Sequence, residues 1–127
     1  MTGRPQLKIK VQIHCGEEIA MGPGKADLLE AIRRHGSISA AGRAMGMSYR
    51  RAWLLVDAMN RCWEAPLVHT VPGGAEGSGA RLTELGDRVL EQYRALLRSL
   101  DGAAAAGEAY AGLAAALLPE PRTSQKA

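Results

Sequence analysis

The stretch that decides the fold is GSISAAGRAMGMSYRRAW, residues 36–53. Serine is a preferred N-cap because its hydroxyl accepts a hydrogen bond from a free N–H of the first helical turn. Three serines of the stretch can act in this way: Ser37, Ser39 and Ser48. Gly46 lies between the last two, where it ends a short helix and opens a tight turn. The stretch predicts a helix over residues 40–45, capped by Ser37 or Ser39, and a following helix capped by Ser48, which together make a helix-turn-helix.

The apolar spacing on both sides extends this motif. Residues 25–35 carry apolar side chains at the spacing of one helical face: Leu28, Leu29 and Ile32. Gly36 follows where a C-terminal cap is needed. The helix after Ser48 runs to about Cys62 and turns a second apolar set inward: Ala52, Val56 and Met59. We therefore expect three helices around an aliphatic core, since the sequence contains no Phe.

Two parts of the sequence predict extended structure. Residues 7–13 alternate apolar and polar side chains, the period of a half-buried strand, and residues 18–21 can form a second short strand. Residues 67–71 and 81–83 predict a β-hairpin with a long flexible tip over residues 72–80, because five of those nine residues are Gly or Pro. A hairpin after a helix-turn-helix is a wing. The expected fold class is mainly α with a small β wing, a winged helix-turn-helix.

Thr83 is predicted to begin a long C-terminal helix with an apolar seam. The seam residues recur at steps of three and four, close to a heptad pattern: Leu85, Val89, Tyr93, Leu96 and Leu100. Such a seam either packs against its own domain or pairs with a second subunit, and its length favours dimerisation. We expect a winged helix-turn-helix domain at residues 1–100, an Ala-rich helical extension at 101–118 and a disordered tail at 119–127.

The net charge of +3 is mild, but the positive charge is local. Residues 31–56 contain no acidic residue and five arginines: Arg33, Arg34, Arg43, Arg50 and Arg51. The helix dipole disfavours cations at a helix N-terminus, so Arg50 and Arg51 at the start of the third helix indicate an external polyanion. The alternative for these two is an ordinary solvated surface. For the other three arginines the two interpretations are equally good.

DNA recognition by a helix-turn-helix needs polar side chains on the first turns of the second helix of the motif and cations that reach phosphates. Either Arg50 or Arg51 can bind a guanine edge through two hydrogen bonds, and the other would then hold a phosphate. The predicted DNA-contacting residues are Ser37, Ser39, Arg43, Ser48, Tyr49, Arg50, Arg51 and Arg81. The sequence leaves open whether Trp53 faces DNA or the core.

Other classes of function find little support. The three histidines fall on separate predicted elements, and the glycine-rich segment lacks the Lys-Ser/Thr of a phosphate-binding loop. Cys15 and Cys62 have no metal-ligand spacing. We therefore expect no enzyme, no metal and no cofactor. No signal peptide is visible, and the apolar segment 103–118 is too short to span a bilayer, so we expect a cytoplasmic protein without membrane contact.

Several runs of the sequence resemble one known family. GSISAA at 36–41, GMSYRRAW at 46–53 and the glycine-rich wing ending in GARLT at 79–83 are similar to the N-terminal domain of ModE-family molybdate-responsive regulators. The resemblance implies a LysR-like winged helix-turn-helix, a homodimer, and a palindromic operator on double-stranded DNA. Family members usually continue into molybdate-binding β-barrel domains, which this sequence lacks, so the resemblance implies no direct molybdate binding. Glu76 departs from the family, which can place a cation in the wing.

These observations favour a dimeric, DNA-binding transcriptional regulator of molybdenum-related or other metal genes. The first alternative is an interaction module that pairs with a full-length regulator and modulates it. The second is a redox or oxyanion sensor that uses Cys62 or Cys15.

Overall fold

The computed structural model describes residues 6–74 and 77–125. The chain divides into two compact units, one formed by Lys10–Ala95 and the other by Met1–Ile9 with Leu96–Ala127. The elements in chain order are β1 (Ile13–Cys15), β2 (Glu18–Met21), α1 (Pro23–His35), α2 (Ile38–Ala44), α3 (Tyr49–Cys62), β3 (Val68–Gly74), β4 (Gly77–Leu82), α4 (Glu84–Ala106) and α5 (Glu108–Ala116). This order confirms the winged helix-turn-helix.

The caps of the first three helices follow the sequence signals. Gly36, in the left-handed region with φ of 79°, ends α1 and donates its N–H to the Ile32 carbonyl at 2.9 Å. Of the two candidate caps for α2, the structure selects Ser37, whose Oγ accepts from the Ala40 N–H at 3.0 Å. Ser48 Oγ accepts from the Arg51 N–H at 3.1 Å and so begins α3 as predicted.

The core of the Lys10–Ala95 unit is aliphatic. The largest fully buried side chains come from β2, α1, α3, α4 and the segment before the wing: Met21, Leu28, Leu29, Ile32, Val56, Met59, Leu67 and Leu90. Each such side chain contributes about 1.5 to 3 kcal/mol by leaving water. The predicted inner faces of α1 and α3 are thereby confirmed, and they fix which side of α3 remains exposed.

The wing is longer than predicted. β3 and β4 pair antiparallel from Val68 with Leu82 to Gly74 with Gly77, so the expected loop over residues 72–80 is wrong for most of its length. The register shifts between Val71 and Gly74. Pro72 lies within this irregularity, where its missing N–H costs no ladder hydrogen bond, as is usual for proline in sheets. The expected flexible tip falls on residues 75 and 76, which lie outside the described residues.

The N-terminal strand is shorter than predicted. Only Ile13–Cys15 pairs with β2, and residues 6–12, all of them described, belong to no strand. Alternation shows which side chains are apolar, but a strand also needs a neighbouring backbone to pair with. The Val11 carbonyl instead accepts a hydrogen bond from the Tyr93 hydroxyl at 2.7 Å.

Thr83 caps α4 as predicted, because its Oγ1 accepts from the Gly86 N–H at 3.0 Å. The same hydroxyl donates to the Pro66 carbonyl at 2.7 Å and so ties the start of α4 to the segment before the wing. The helix runs through residue 100 without interruption, α5 follows after Gly107, and residues 117–125 contain neither helix nor strand.

Candidate nucleic-acid interface

The turn between α2 and α3 sets the direction of α3. Gly46 adopts a φ of 70°, which residues with a side chain rarely reach, and the Met47 N–H donates to the Gly42 carbonyl at 2.9 Å. Behind the turn, Ala41 and Ala52 are fully buried. With Ala52 held inside, the preceding side chains of the first turn of α3 face solvent. These are the predicted contact residues Tyr49, Arg50 and Arg51, and all three are exposed.

The exposed face of α3 is partly apolar. The rings of Tyr49 and Trp53 meet edge to face with centroids 6.2 Å apart, and Trp53 is 37% exposed. The structure thus places Trp53 on the outer side of α3, beside Tyr49. Leu54 is 58% exposed and lies one turn after Arg50. Sequence reasoning missed Leu54, although its spacing of four from Arg50 was a usable signal.

A cleft of about 520 Å³ separates α3 from the wing. Ser37, Ile38 and Ser39 from the start of α2 line one side, and Tyr49 and Trp53 line another. The wing completes it with Thr70, Val71, Pro72, Gly79 and Ala80. Predicted contact residues of α2 and α3 therefore open onto one concave surface.

The arginines of the Lys10–Ala95 unit fall into two sets. Four of them pair with carboxylates: Arg33, Arg61, Arg88 and Arg94. Within residues 6–74 and 77–125, no carboxylate lies within salt-bridge distance of the second set, which is Arg34, Arg43, Arg50, Arg51 and Arg81. The predicted DNA-contacting arginines all belong to this second set, which we call the unpaired arginines.

Arg33 belongs to the fold rather than to the interface. Its guanidinium lies 2.9 Å from Asp87 and 3.2 Å from both Glu30 and Glu91, so it links α1 to α4. The hydrogen bond to Asp87 is the main cause that raises the pKa of Arg33 above its ordinary value. The sequence left this arginine open because two of its partners, Asp87 and Glu91, lie far along the chain.

Ser39 and Arg43 support each other on the exposed side of α2. Ser39 does not cap the helix. Its Oγ accepts a hydrogen bond from Arg43 Nη1 at 2.8 Å, which fixes the guanidinium beside the cleft wall that Ser39 helps to form. Arg81 lies on β4 opposite His69, and its side chain is exposed.

The N-termini of α2 and α3 carry no acidic residue in their first turns. Each terminus presents partial positive charge from N–H groups without helical partners. At α3 the charges of Arg50 and Arg51 add to it. The start of α3 can therefore bind a polyanion without electrostatic repulsion from acidic side chains in its first turn.

The residues of the predicted dimerisation seam fall into a buried set and an exposed set along α4. Val89 and Tyr93 are 7% and 2% exposed, so they pack within the chain's own domain, and Leu85 is partly buried. Leu96 and Leu100 are 39% and 37% exposed. Dimerisation stays a prediction, and Leu96 and Leu100 are the seam residues that a second subunit could cover.

Other kinds of site find no support in the described part of the chain. His, Cys, Asp and Glu nowhere gather there in groups of three that could hold a metal ion. None of its helices has the length and apolar character to cross a membrane.

The comparisons with known proteins agree with this geometry. Residues 25–87 match the family described as bacterial regulatory helix-turn-helix protein, lysR family. The match covers α1, α2, α3, the wing and the start of α4. These residues are therefore a regulatory helix-turn-helix domain of the LysR type.

Three relatives indicate which kind of LysR-type helix-turn-helix domain this is. MopB of Rhodobacter capsulatus, a molybdenum-pterin-binding protein, is 49% identical over 76 residues, which are 60% of this chain and 28% of MopB. The molybdenum transport protein ModE of Azotobacter vinelandii is 44% identical over 77 residues, 61% of this chain and 28% of that protein. The DNA-binding transcriptional dual regulator ModE of Escherichia coli K12 is 34% identical over 88 residues, 69% of this chain and 34% of its own length. The helix-turn-helix domain is of the ModE type, and the chain spans about a third of the length of these curated relatives.

Proposed function

We propose that the chain binds double-stranded DNA as a transcriptional regulator, with the first turns of α3 in the major groove. The observation that carries this proposal is that two of the unpaired arginines, Arg50 and Arg51, lie at the N-terminus of α3, beside the cleft between α3 and the wing. In this arrangement one of Arg50 and Arg51 reads a guanine, and the other holds a phosphate. Arg43 and Arg81, with Ser37, Ser39 and Ser48, face the sugar–phosphate backbone.

The regulated genes are proposed to concern molybdenum. The support comes from the relatives described above, whose names refer to molybdenum transport, a molybdenum-pterin and transcriptional regulation. We propose that the described residues bind no effector oxyanion. Ser37 and Ser48 already use their hydroxyls as helix caps, and the charges near them are the ones that DNA phosphate requires.

The operator is proposed to be palindromic and the protein a homodimer. Leu96 and Leu100 lie one turn apart on α4, are exposed, and continue the spacing of the buried Val89 and Tyr93. The same exposed pair also supports the alternative function, a module that pairs with a longer regulator. Mixing the chain with such a regulator and analysing the complexes by native mass spectrometry separates the two: a homodimer alone favours the first, and mixed dimers favour the second.

The direct test measures duplex affinity as a function of salt. Each phosphate contact removed should lower the slope of log K against log salt by about 0.9. Arg50→Ala and Arg51→Ala should each weaken binding. Arg61→Ala is the matched control, because Arg61 lies on the same helix but is already paired with Glu18 and Asp57. Equal losses in all three variants, or no duplex binding by the chain, would contradict the proposal.

A further inference from the structure

Cys15 and Cys62 are distant in sequence but adjacent in the fold. Cys15 ends β1 and Cys62 ends α3. The strand register places Glu18 opposite Cys15, and Glu18 Oε1 accepts a hydrogen bond from Arg61 Nη2 at 3.3 Å. Since Arg61 precedes Cys62, this ion pair holds the end of α3 against the β1–β2 hairpin. The two thiols lie close enough there for Cys15 to affect the pKa of Cys62.

The two thiols differ in access and in protonation. Cys15 is exposed, whereas Cys62 is partly buried. Burial raises the pKa of the Cys62 thiol, and the neighbouring Cys15 raises it further. Cys62 therefore keeps its proton at neutral pH. An oxidant in solution therefore reaches the exposed Cys15 before it reaches the partly buried Cys62.

We propose that Cys15 and Cys62 form a redox-active dithiol, which hydrogen peroxide converts into an intramolecular disulfide and a small thiol reductant restores. Cys15 is the residue that meets the oxidant, and Cys62 resolves the product. The proposal concerns a modification site outside the DNA interface, since neither cysteine lines the cleft between α3 and the wing.

The chemistry balances in two steps. The Cys15 sulfur attacks one peroxide oxygen and the O–O bond breaks, so that Cys15 becomes a sulfenic acid and the other oxygen leaves as water. The Cys62 sulfur then attacks the Cys15 sulfur, and the S–O bond breaks. The oxygen leaves as a second water with the proton of Cys62. Two thiols lose two electrons in total, and one peroxide is reduced to two waters.

The test treats the reduced 127-residue chain with equimolar hydrogen peroxide and follows the intact mass and the free thiols. The expected product is a single chain lighter by two hydrogen atoms, with no free thiol, in which peptide mapping joins Cys15 to Cys62. Dithiothreitol should restore the starting mass. Disulfides between two chains, or oxygen addition with no Cys15–Cys62 link, would overturn the proposal.

Two serine variants test the order of events. In Cys62→Ser the reaction should stop at the Cys15 sulfenic acid, which dimedone traps. In Cys15→Ser the remaining thiol should react about tenfold more slowly, because it is partly buried and protonated. Equal rates in the two variants would overturn the assignment of Cys15 as the attacking residue. Circular dichroism checks that both variants fold, and the experiment uses no DNA, so its outcome is separate from that of the proposed function.

Discussion

Asn60 holds Val68 through both ends of its carboxamide: Oδ1 accepts from the Val68 N–H at 3.0 Å, and Nδ2 donates to the Val68 carbonyl at 3.2 Å. Oδ1 also accepts from the Leu67 N–H at 2.9 Å. Leu67 and Val68 are buried, so this one side chain satisfies backbone groups that water does not reach. It fixes where β3 begins relative to α3, and hence the width of the cleft between α3 and the wing.

Asn60→Ala should lower the free energy of unfolding by about 1 to 3 kcal/mol, because the Leu67 and Val68 N–H groups lose their acceptor. Urea denaturation followed by circular dichroism measures the loss. Gln92→Ala, at an exposed position of α4, is the control and should change stability by less than about 0.5 kcal/mol. An unfolding midpoint of Asn60→Ala equal to that of the wild type would show that the hydrogen bonds of Asn60 do not hold the start of β3.

Gly86→Ala should destabilise the fold by about 1 to 3 kcal/mol, because the added Cβ would overlap the Leu67 carbonyl oxygen. Gly102→Ala on the same helix meets nothing within 4 Å and should instead stabilise by about 1 kcal/mol through helix propensity. Thermal unfolding of the two variants should therefore shift in opposite directions. A rise in the unfolding midpoint of both variants would mean that α4 can move away from the segment before the wing.

Arg50→Ala should weaken binding to a specific duplex by about 1 to 3 kcal/mol and relax the preference at one base pair. The reason is the position of Arg50 in the exposed first turn of α3, without a carboxylate partner among the described residues. Selection from a randomised duplex library measures both effects. Full affinity with unchanged preference would transfer the base contact to Arg51.

The double variant Leu96→Glu, Leu100→Glu should be monomeric at tens of micromolar, where the wild type should sediment as a dimer. Two buried carboxylates at a subunit contact cost more than the apolar contact provides. Leu54→Glu, which places a carboxylate on the exposed face of α3, is the control and should leave the dimer intact. A dimer should protect two half-sites on DNA that lie about one duplex turn apart, or a multiple of that. A monomeric wild type with a single, unrepeated footprint would contradict dimerisation.

Molybdate should change the DNA affinity of this chain by less than about twofold, or roughly 0.5 kcal/mol of coupling. An effector shifts an equilibrium only through unequal binding to two states, and an oxyanion needs a closed set of donors. The helix starts at Ser37 and Ser48 are the candidate donor sets, and an anion there would compete with DNA. Calorimetry with molybdate, beside binding curves with and without it, checks this; a micromolar site that strengthens DNA binding would refute it.

Local signals were sufficient wherever neighbours along the chain decide the structure. Gly36 predicts the end of α1. Ser48 and the spacing of Ala52, Val56 and Met59 predict α3 and its inner face, because capping and amphipathicity act within a few residues. The exposure of Trp53 was not predictable, since it depends on how closely the wing approaches α3. The shorter N-terminal strand and the longer wing differ from expectation for the same reason. Pairing is decided by a partner strand, and Pro72 is tolerated where the register shifts.

The division between paired and unpaired arginines also affects how fast the domain can associate. The paired arginines, such as Arg33 and Arg61, lie beside opposite charges that largely cancel theirs, so the field of each pair falls off faster with distance than the field of a single charge. At larger separations the unpaired Arg43, Arg50 and Arg51 dominate the attraction that an approaching polyanion feels. This attraction orients the domain before contact. Encounters through the face that carries these arginines are therefore more frequent than encounters through other faces. The acidic residues of α4 that hold Arg33 thus contribute to association kinetics although they touch no ligand.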